Sequence, residues 1–316
     1  MNVSSVVESV LAGDRRAVAR AISMVEDGAD GLPDLIGGLF SKTGRAYTVG
    51  LTGSPGVGKS SLAAELVKAA RQRDRSVAVL AIDPTSPFTG GALLGDRLRM
   101  QSHATDPKVF IRSMATRGHL GGLALAAPEA VRVLDASGAD LIVIETVGVG
   151  QAEVEVATAA DTTLVVVAPG WGDAIQASKA GILEIADVFV VNKADRDGAG
   201  EAVRDLEAML HLGPALEWPP PVVKTSAQGH EGIDDLWDAI DAHRKHLEST
   251  GELEKRRRRR LLGEVEDMVS VRLRERIDAR LQEGDLEALA DDLVSRRIDP
   301  YAAVDMLMGK LAREDR

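Results

Sequence analysis

An α/β fold built on a mainly parallel sheet is predicted by three features of this 316-residue chain. Short, continuous, β-branched apolar runs alternate with longer amphipathic stretches from residue 47 to about residue 247. Most of those runs lack the polar/apolar alternation of half-exposed strands, the first, 47–52, being an alternating exception, so both faces of the sheet should be covered. The first run opens directly into a glycine-rich loop and a helix-forming sequence, YTVGLTGSPGVGKSSL. A strand–loop–helix rhythm of this kind puts helices on both sides of the sheet and ligand loops at the carboxyl ends of its strands.

Strands are predicted at 47–52, 77–82, 109–111, 141–144, 163–168, 188–191 and 222–223, and helices between them at 128–136, 174–185, 199–210 and 233–247. Residues 1–42 read as a helical extension. Val6, Val10, Ala17, Ala21, Ile22 and Val25 recur at helical spacing, breaks fall at Gly13 and Gly28, and Asp14 is placed to cap a helix running to Glu26. Residues 43–247 form the expected nucleotide-binding domain. Residues 248–316 contain no strand-like run and read as three helices, 253–282, 286–297 and 300–313. An apolar stripe (Leu261, Leu262, Val265, Met268, Val269, Leu273, Ile277, Leu281) on the first of these must pack on its own domain or on a second copy, so a homodimer is expected.

Composition excludes several functions. The net charge of −11 disfavours nucleic acid and anionic membrane, and 3% aromatic residues leave little to stack on bases. The basic run at 255–260 is flanked by Glu252, Glu254, Glu264 and Glu266, which suits a solvated or interfacial helix face better than a nucleic-acid contact. Without cysteine there is no disulfide, thiolate metal site or cysteine nucleophile. No apolar run reaches the ~18 residues of a membrane span, and the N-terminus is not a signal peptide. A cytoplasmic protein is expected.

The glycine-rich loop meets G-x-x-x-x-G-K-[ST] in full at Gly53, Gly58, Lys59 and Ser60, which makes the fold a P-loop NTPase. Gly53, Ser54, Gly56, Val57 and Gly58 can turn backbone N–H groups onto a polyphosphate, while Pro55, which has no N–H, lies in the same loop. Lys59 supplies charge to the β and γ phosphates, and Ser60 a hydroxyl to Mg²⁺. Ser61 extends a helix whose N-terminal dipole faces the same anion. Asn192-Lys193-Ala194-Asp195 follows a strand and suits guanine, because Asp195 can accept from both the ring N1–H and the exocyclic amine. Asn192 can reach the base edge and brace the phosphate loop, while the Lys193 stem covers the ring. Ser226, Ala227 and Gln228, after the next strand, offer backbone N–H groups to the guanine O6. The loops occur in the order a GTPase requires, so GTP/GDP and Mg²⁺ are the expected ligands.

Glu145-Thr146-Val147-Gly148 occupies the place where most GTPases carry D-x-x-G; the acid supports the metal and the Gly148 N–H meets the γ-phosphate. Asp83, at the end of the second strand, and Asp96 are further candidate metal acids, although Asp96 also suits a helix cap. Val149 stands where a Ras-like glutamine would orient water, and Gln151 lies two residues further on. Hydrolysis by the isolated protein should therefore be slow.

These departures, with the stretches IDPTSPFTGGALLGDRLRM, RSMATRGHLGGLA, VIETVGVGQAEVEV and PGWGDAIQASKAGILEIADVFVVNKAD, resemble the MeaB/ArgK family within the metallochaperone-like branch of P-loop GTPases. The resemblance runs from about residue 10 to 260. It implies a GTP-hydrolysing chaperone that assists adenosylcobalamin loading and protection of methylmalonyl-CoA mutase or a related adenosylcobalamin-dependent mutase. It implies that Lys59, Ser60, Asp83, Asp96 and Glu145 surround phosphate and metal, and that residues 172–179 form an additional switch whose Asp173, Gln176 and Lys179 respond to nucleotide and partner. It also implies that the C-terminal helices form a dimerisation arm. The alternatives are a metallochaperone for another metal enzyme, which the absence of a cysteine or histidine cluster disfavours, and a small-molecule (amino-acid transport) kinase, for which no acceptor site is evident. A membrane-targeting GTPase would normally need a methionine-rich domain, and the eight methionines are not clustered.

Overall fold

In the computed structural model, residues 2–83, 105–115, 122–146, 159–170, 184–213, 215–280 and 283–313 are described. Seven strands form one parallel sheet: β1 (Tyr47–Thr52), β2 (Val77–Asp83), β3 (Val109–Ala115), β4 (Leu141–Thr146), β5 (Thr162–Val167), β6 (Val188–Val191) and β7 (Val222–Lys224). Their spatial order is β3-β2-β4-β1-β5-β6-β7, every neighbouring pair parallel. The described helices are α1 (Val3–Leu11), α2 (Arg15–Glu26), α3 (Leu32–Phe40), α4 (Lys59–Gln72), α5 (Gly122–Ala136), α6 (Ala199–Leu212), α7 (Ile233–Thr250), α8 (Glu252–Arg280), α9 (Glu283–Val294) and α10 (Pro300–Arg313).

The period of two along the strands shows why their apolar runs are unbroken. Ala78, Leu80, Ile82, Ile142 and Ile144 face a core closed by α1–α3 and α5. Val77, Val79, Leu141 and Val143, from the same two strands, face the opposite core with α4 and α7. Phe189, Val165 and Val167 share a third cluster with α6. Both faces are covered, so polar alternation has no place. The N-terminal helices contribute Val6, Val10, Ile22, Leu35 and Leu39 to the first core. Asp14 caps α2 as expected, accepting from the Ala17 N–H at 2.7 Å.

Helix α5 departs from expectation. A proline lacks the N–H needed inside a helix, which marks Pro128 as a start; the helix begins instead at Gly122 and carries Pro128 within it. The helix expected at 174–185 lies almost wholly outside the described residues.

Residues 1–262 and 263–316 form two compact units. In the second, α9 and α10 pack together, burying Leu289 and Ala303, and Asp299 caps α10 through the N–H groups of Tyr301 and Ala302. In the first, the basic run docks on the amino ends of the strands. Arg256 donates to both carboxylate oxygens of Asp187 at 3.0 and 3.1 Å. Arg257 holds Asp161 at 2.6 and 3.1 Å and also donates to the carbonyls of Gly44 and Ala46. Arg260 reaches the Ala160 carbonyl at 2.8 Å. The run is thus an interfacial helix face. Burial pushes the Asp161 carboxyl up, but the hydrogen bond and charge of Arg257, with Arg260 and the Thr48 N–H, outweigh it and hold Asp161 below the usual carboxylate range.

Candidate nucleotide-binding site

Strand β1 lies between β4 and β5, and its carboxyl end carries the phosphate loop at the middle of the sheet edge. Two loop glycines are demanded by close approach. A Cβ on Gly53 (φ +133°) would sit 2.1 Å from the Val166 carbonyl oxygen, and one on Gly58 (φ +98°) would sit 2.4 Å from Asn192 Nδ2. The loop is therefore pressed against β5 on one side and the Asn192 loop on the other.

Helix α4 starts at Lys59, which is buried together with Ser60. Lys59 Nζ donates to the carbonyl of Gly53 and, at 3.1 Å, to that of Ser54. Ser60 Oγ donates to Glu145 Oε1 at 2.5 Å. The parallel register sets this contact by placing Glu145, on β4, beside Leu51 of β1. Glu145 is 1% exposed, so the pair forms a buried patch of hard oxygen atoms beneath the loop. Asp83 is the last residue of β2, which pairs with the other edge of β4.

The base-side loops meet the phosphate loop through Asn192, which is buried. Its Nδ2 donates to the Val57 carbonyl at 2.8 Å, and its Oδ1 accepts from Thr225 Oγ1 at 3.2 Å and the Ala227 N–H at 3.3 Å. The side chain braces three loops at once. Lys193, at a left-handed φ of 59°, stretches its Nζ to the Gly56 carbonyl at 2.5 Å. Asp195 is exposed, and Ser226 Oγ donates to its Oδ1 at 2.6 Å. That hydrogen bond, followed by one from its own backbone, holds the Asp195 carboxyl below its ordinary value, so it stays an ionised acceptor. An antiparallel bridge between Ser226 and Glu231 holds the Ser226 loop, which includes Gln228, in a tight turn.

The structure thus brings together residues 53–61, Glu145, Asn192, Lys193, Asp195 and 226–228 at one sheet edge. Asp96, Gly148, Val149, Gln151, Asp173, Gln176 and Lys179 lie outside the described residues. Two residues of the Thr225-Ser226-Ala227 loop, expected to act through backbone N–H groups, also work through their side chains: the Thr225 hydroxyl anchors Asn192, and the Ser226 hydroxyl donates to Asp195. Nothing in the local sequence signals either side-chain bond.

A family model described as the methylmalonyl-CoA mutase-associated GTPase MeaB matches residues 18–282. A Pyrococcus abyssi protein named for GTPase activity alone is 49% identical over 313 residues, 98% of this chain and 97% of that protein. The mitochondrial methylmalonic aciduria type A homolog of Caenorhabditis elegans is 37% identical over 279 residues, 81% of this chain and 69% of that one. The crystal structure of a LAO/AO transport system kinase superposes with a TM-score of 0.76 at 25% identity, covering 98% of both chains. With its guanine-nucleotide loops gathered on a parallel sheet and its sequence matched across most of its length, this chain belongs to the MeaB family and is a GTPase.

Proposed function

We propose that this GTPase acts as a nucleotide-driven chaperone for methylmalonyl-CoA mutase or a related adenosylcobalamin-dependent mutase, assisting cofactor loading and protecting the loaded enzyme. The observation that carries the reading is the match over residues 18–282 to a family described as mutase-associated. The name of the Caenorhabditis elegans relative, which refers to methylmalonic aciduria, supports the same substrate class.

In this reading the β and γ phosphates replace the Gly53 and Ser54 carbonyls as partners of Lys59, a neutral-for-anionic exchange that strengthens its hydrogen bonds. Residues 53–58 wrap the phosphates, all but Pro55 with a backbone N–H to offer, and Ser61 continues the helix that faces them. Ser60 and Glu145 would hold Mg²⁺ with Asp83 and Asp96, because hydroxyl and carboxylate oxygens are the donors that ion prefers. Bound there, it would neutralise charge on the β–γ bridge. Asp195 reads guanine, Lys193 covers the ring, and Asn192 transmits base occupancy to Val57 through its 2.8 Å bond. Gly148, Gln176 and Lys179 are assigned to the γ-phosphate and the partner-sensitive switch by motif.

Residues 1–42 are taken as the N-terminal extension, 43–247 as the GTPase domain and 248–316 as a dimerisation arm in a cytoplasmic homodimer. Val265, Met268, Val269 and Leu273 are each between 39% and 56% exposed on α8, an apolar stripe that a second copy would cover. No described helix is long and apolar enough to cross a membrane. A pull-down from cell extract with GDP and with a non-hydrolysable GTP analogue tests the function. Recovery of a cobalamin-dependent mutase in a nucleotide-dependent manner is expected; its absence under both conditions would reject the chaperone role while leaving the GTPase intact. The kinase name of the solved relative is checked separately, by looking for a phosphorylated small-molecule product in the same extract.

A further inference from the structure

A cavity of about 500 Å³ opens at the amino ends of β6 and β7, bounded by the end of α6, residues 215–221, the last turns of α7 and the start of α8. Because the sheet is parallel, this is the edge opposite the nucleotide loops. Its volume falls within the ~300–1,000 Å³ common for small-ligand sites. The walls are of two kinds. Leu210, Leu216 and Leu247 supply apolar surface, and Trp218 and His246 place their rings 5.1 Å apart at 37°. The Trp218 ring is held in place, donating its Nε1–H to the Asp187 carbonyl at 2.8 Å.

The charges in and around the cavity are mostly matched. Arg256 is bound to Asp187 through two hydrogen bonds, and Lys255 pairs with Glu252 at 2.7 Å. Glu184 and Glu217, both exposed, line the cavity and form no close ion pair among the described residues; Glu217 shares the charge of Lys255 with Glu252, so the lining carboxylates still outnumber the cations beside them. The surplus is therefore negative, next to an aromatic face. An anion such as a second phosphate would meet two carboxylates. A cation with a short hydrocarbon body would gain both carboxylates, the quadrupole of the Trp218 face and the leucine surface together.

We infer that this cavity is a second ligand site, separate from the nucleotide site, that takes a small organic cation of the alkylguanidinium or alkylammonium class. The inference stands on the cavity alone and does not depend on the mutase reading. The test is calorimetric titration of the full-length, GDP-loaded protein with n-butylguanidinium chloride, with n-pentanol and sodium n-butyrate as neutral and anionic probes of similar size. One saturable site for the guanidinium is expected, weakened by added salt and weakened about threefold to fivefold by each of Glu184→Gln and Glu217→Gln. Both residues are exposed, so neither substitution should disturb folding. Trp218→Phe, which has a poorer cation–π face and also loses the Nε1–H bond that holds the ring, should weaken binding by at least about twofold to threefold. No saturable heat, equal binding of pentanol, or affinity unchanged in the double glutamine variant would each overturn the proposal.

Discussion

The two ends of the sheet hold their cations differently. At the carboxyl edge, the bonds described for Lys59 and Lys193 go to backbone carbonyls of the phosphate loop: Gly53 and Ser54 for one, Gly56 for the other. At the amino edge, Arg256 and Arg257 are bound to the carboxylates of Asp187 and Asp161, which are themselves buried. A lysine resting on carbonyls can exchange them for phosphate oxygens at little cost, because a charged acceptor replaces neutral ones. An arginine matched to a buried carboxylate has nothing to gain by leaving, and its departure would strand a charge in the core. The first arrangement suits a binding site at rest; the second is a fastening.

The largest effect should come from breaking the fastening. Asp161→Ala leaves Arg257 and Arg260 without their buried carboxylate and should lower unfolding free energy by about 3–5 kcal/mol in chemical denaturation. Guanine-nucleotide affinity, measured under conditions where the variant stays folded, should hardly change. A variant as stable as the parent would show that the arginines are held by carbonyls alone.

The reciprocal change is Lys59→Ala, which should reduce nucleotide hydrolysis on the order of 100-fold to 1,000-fold while leaving the denaturation midpoint close to that of the parent. Full activity in the folded variant would contradict the role given to Lys59.

Asp195→Asn should weaken GTP relative to XTP on the order of 100-fold, since the amide cannot accept from both guanine donors. Competition among GTP, ATP and XTP reads this directly, and an unchanged GTP preference would place base recognition elsewhere. Ser226→Ala should have a smaller effect, about threefold to tenfold on GTP affinity, because it removes the 2.6 Å hydrogen bond that orients Asp195 and leaves the carboxylate in place. The same variant should raise the Asp195 pKa towards the ordinary aspartate value, visible by carboxyl NMR titration.

The acid limb of stability sharpens the comparison with the mildest perturbation. Asp161 and Asp187 both have carboxyls held below their ordinary values. For Asp187, burial acts upward, and the close approach and charge of His243, whose Nε2 lies 3.2 Å from Asp187 Oδ1, with Arg256 and the Thr163 N–H, outweigh it. Depressed folded-state values mean that the unfolded chain binds these protons first as pH falls. The stabilisation is therefore complete above the unfolded aspartate value of about 3.9 and disappears as pH drops through the lower folded values. Denaturation midpoints should be flat from neutrality to about pH 5 and then fall, and Asp161→Ala should flatten that fall.

Much of the site could be read along the chain because its parts are contiguous. G-x-x-x-x-G-K-[ST], N-K-x-D and E-T-x-G are each local strings tied to strand ends, and the apolar runs that became β1 to β7 lie within a few residues of where they were expected. Local strings say which atoms are available, and unbroken apolar strands say that both faces are covered, so the fold class followed from sequence and the loops that the structure gathers at one sheet edge could be named as candidates. Only tertiary structure could decide the rest. Asn192 lies 135 positions from Val57, and Arg257 lies 96 from Asp161, so no spacing along the chain announces either bond. Whether a basic run faces solvent or a buried carboxylate depends on which strand ends the helix crosses. That is why 255–260 read as a helix face without a known partner until the sheet brought Asp161 and Asp187 beneath it. The same folding that made those arginines structural left Glu184 and Glu217 beside Trp218, a juxtaposition set by the meeting of three helices and two strands rather than by any motif.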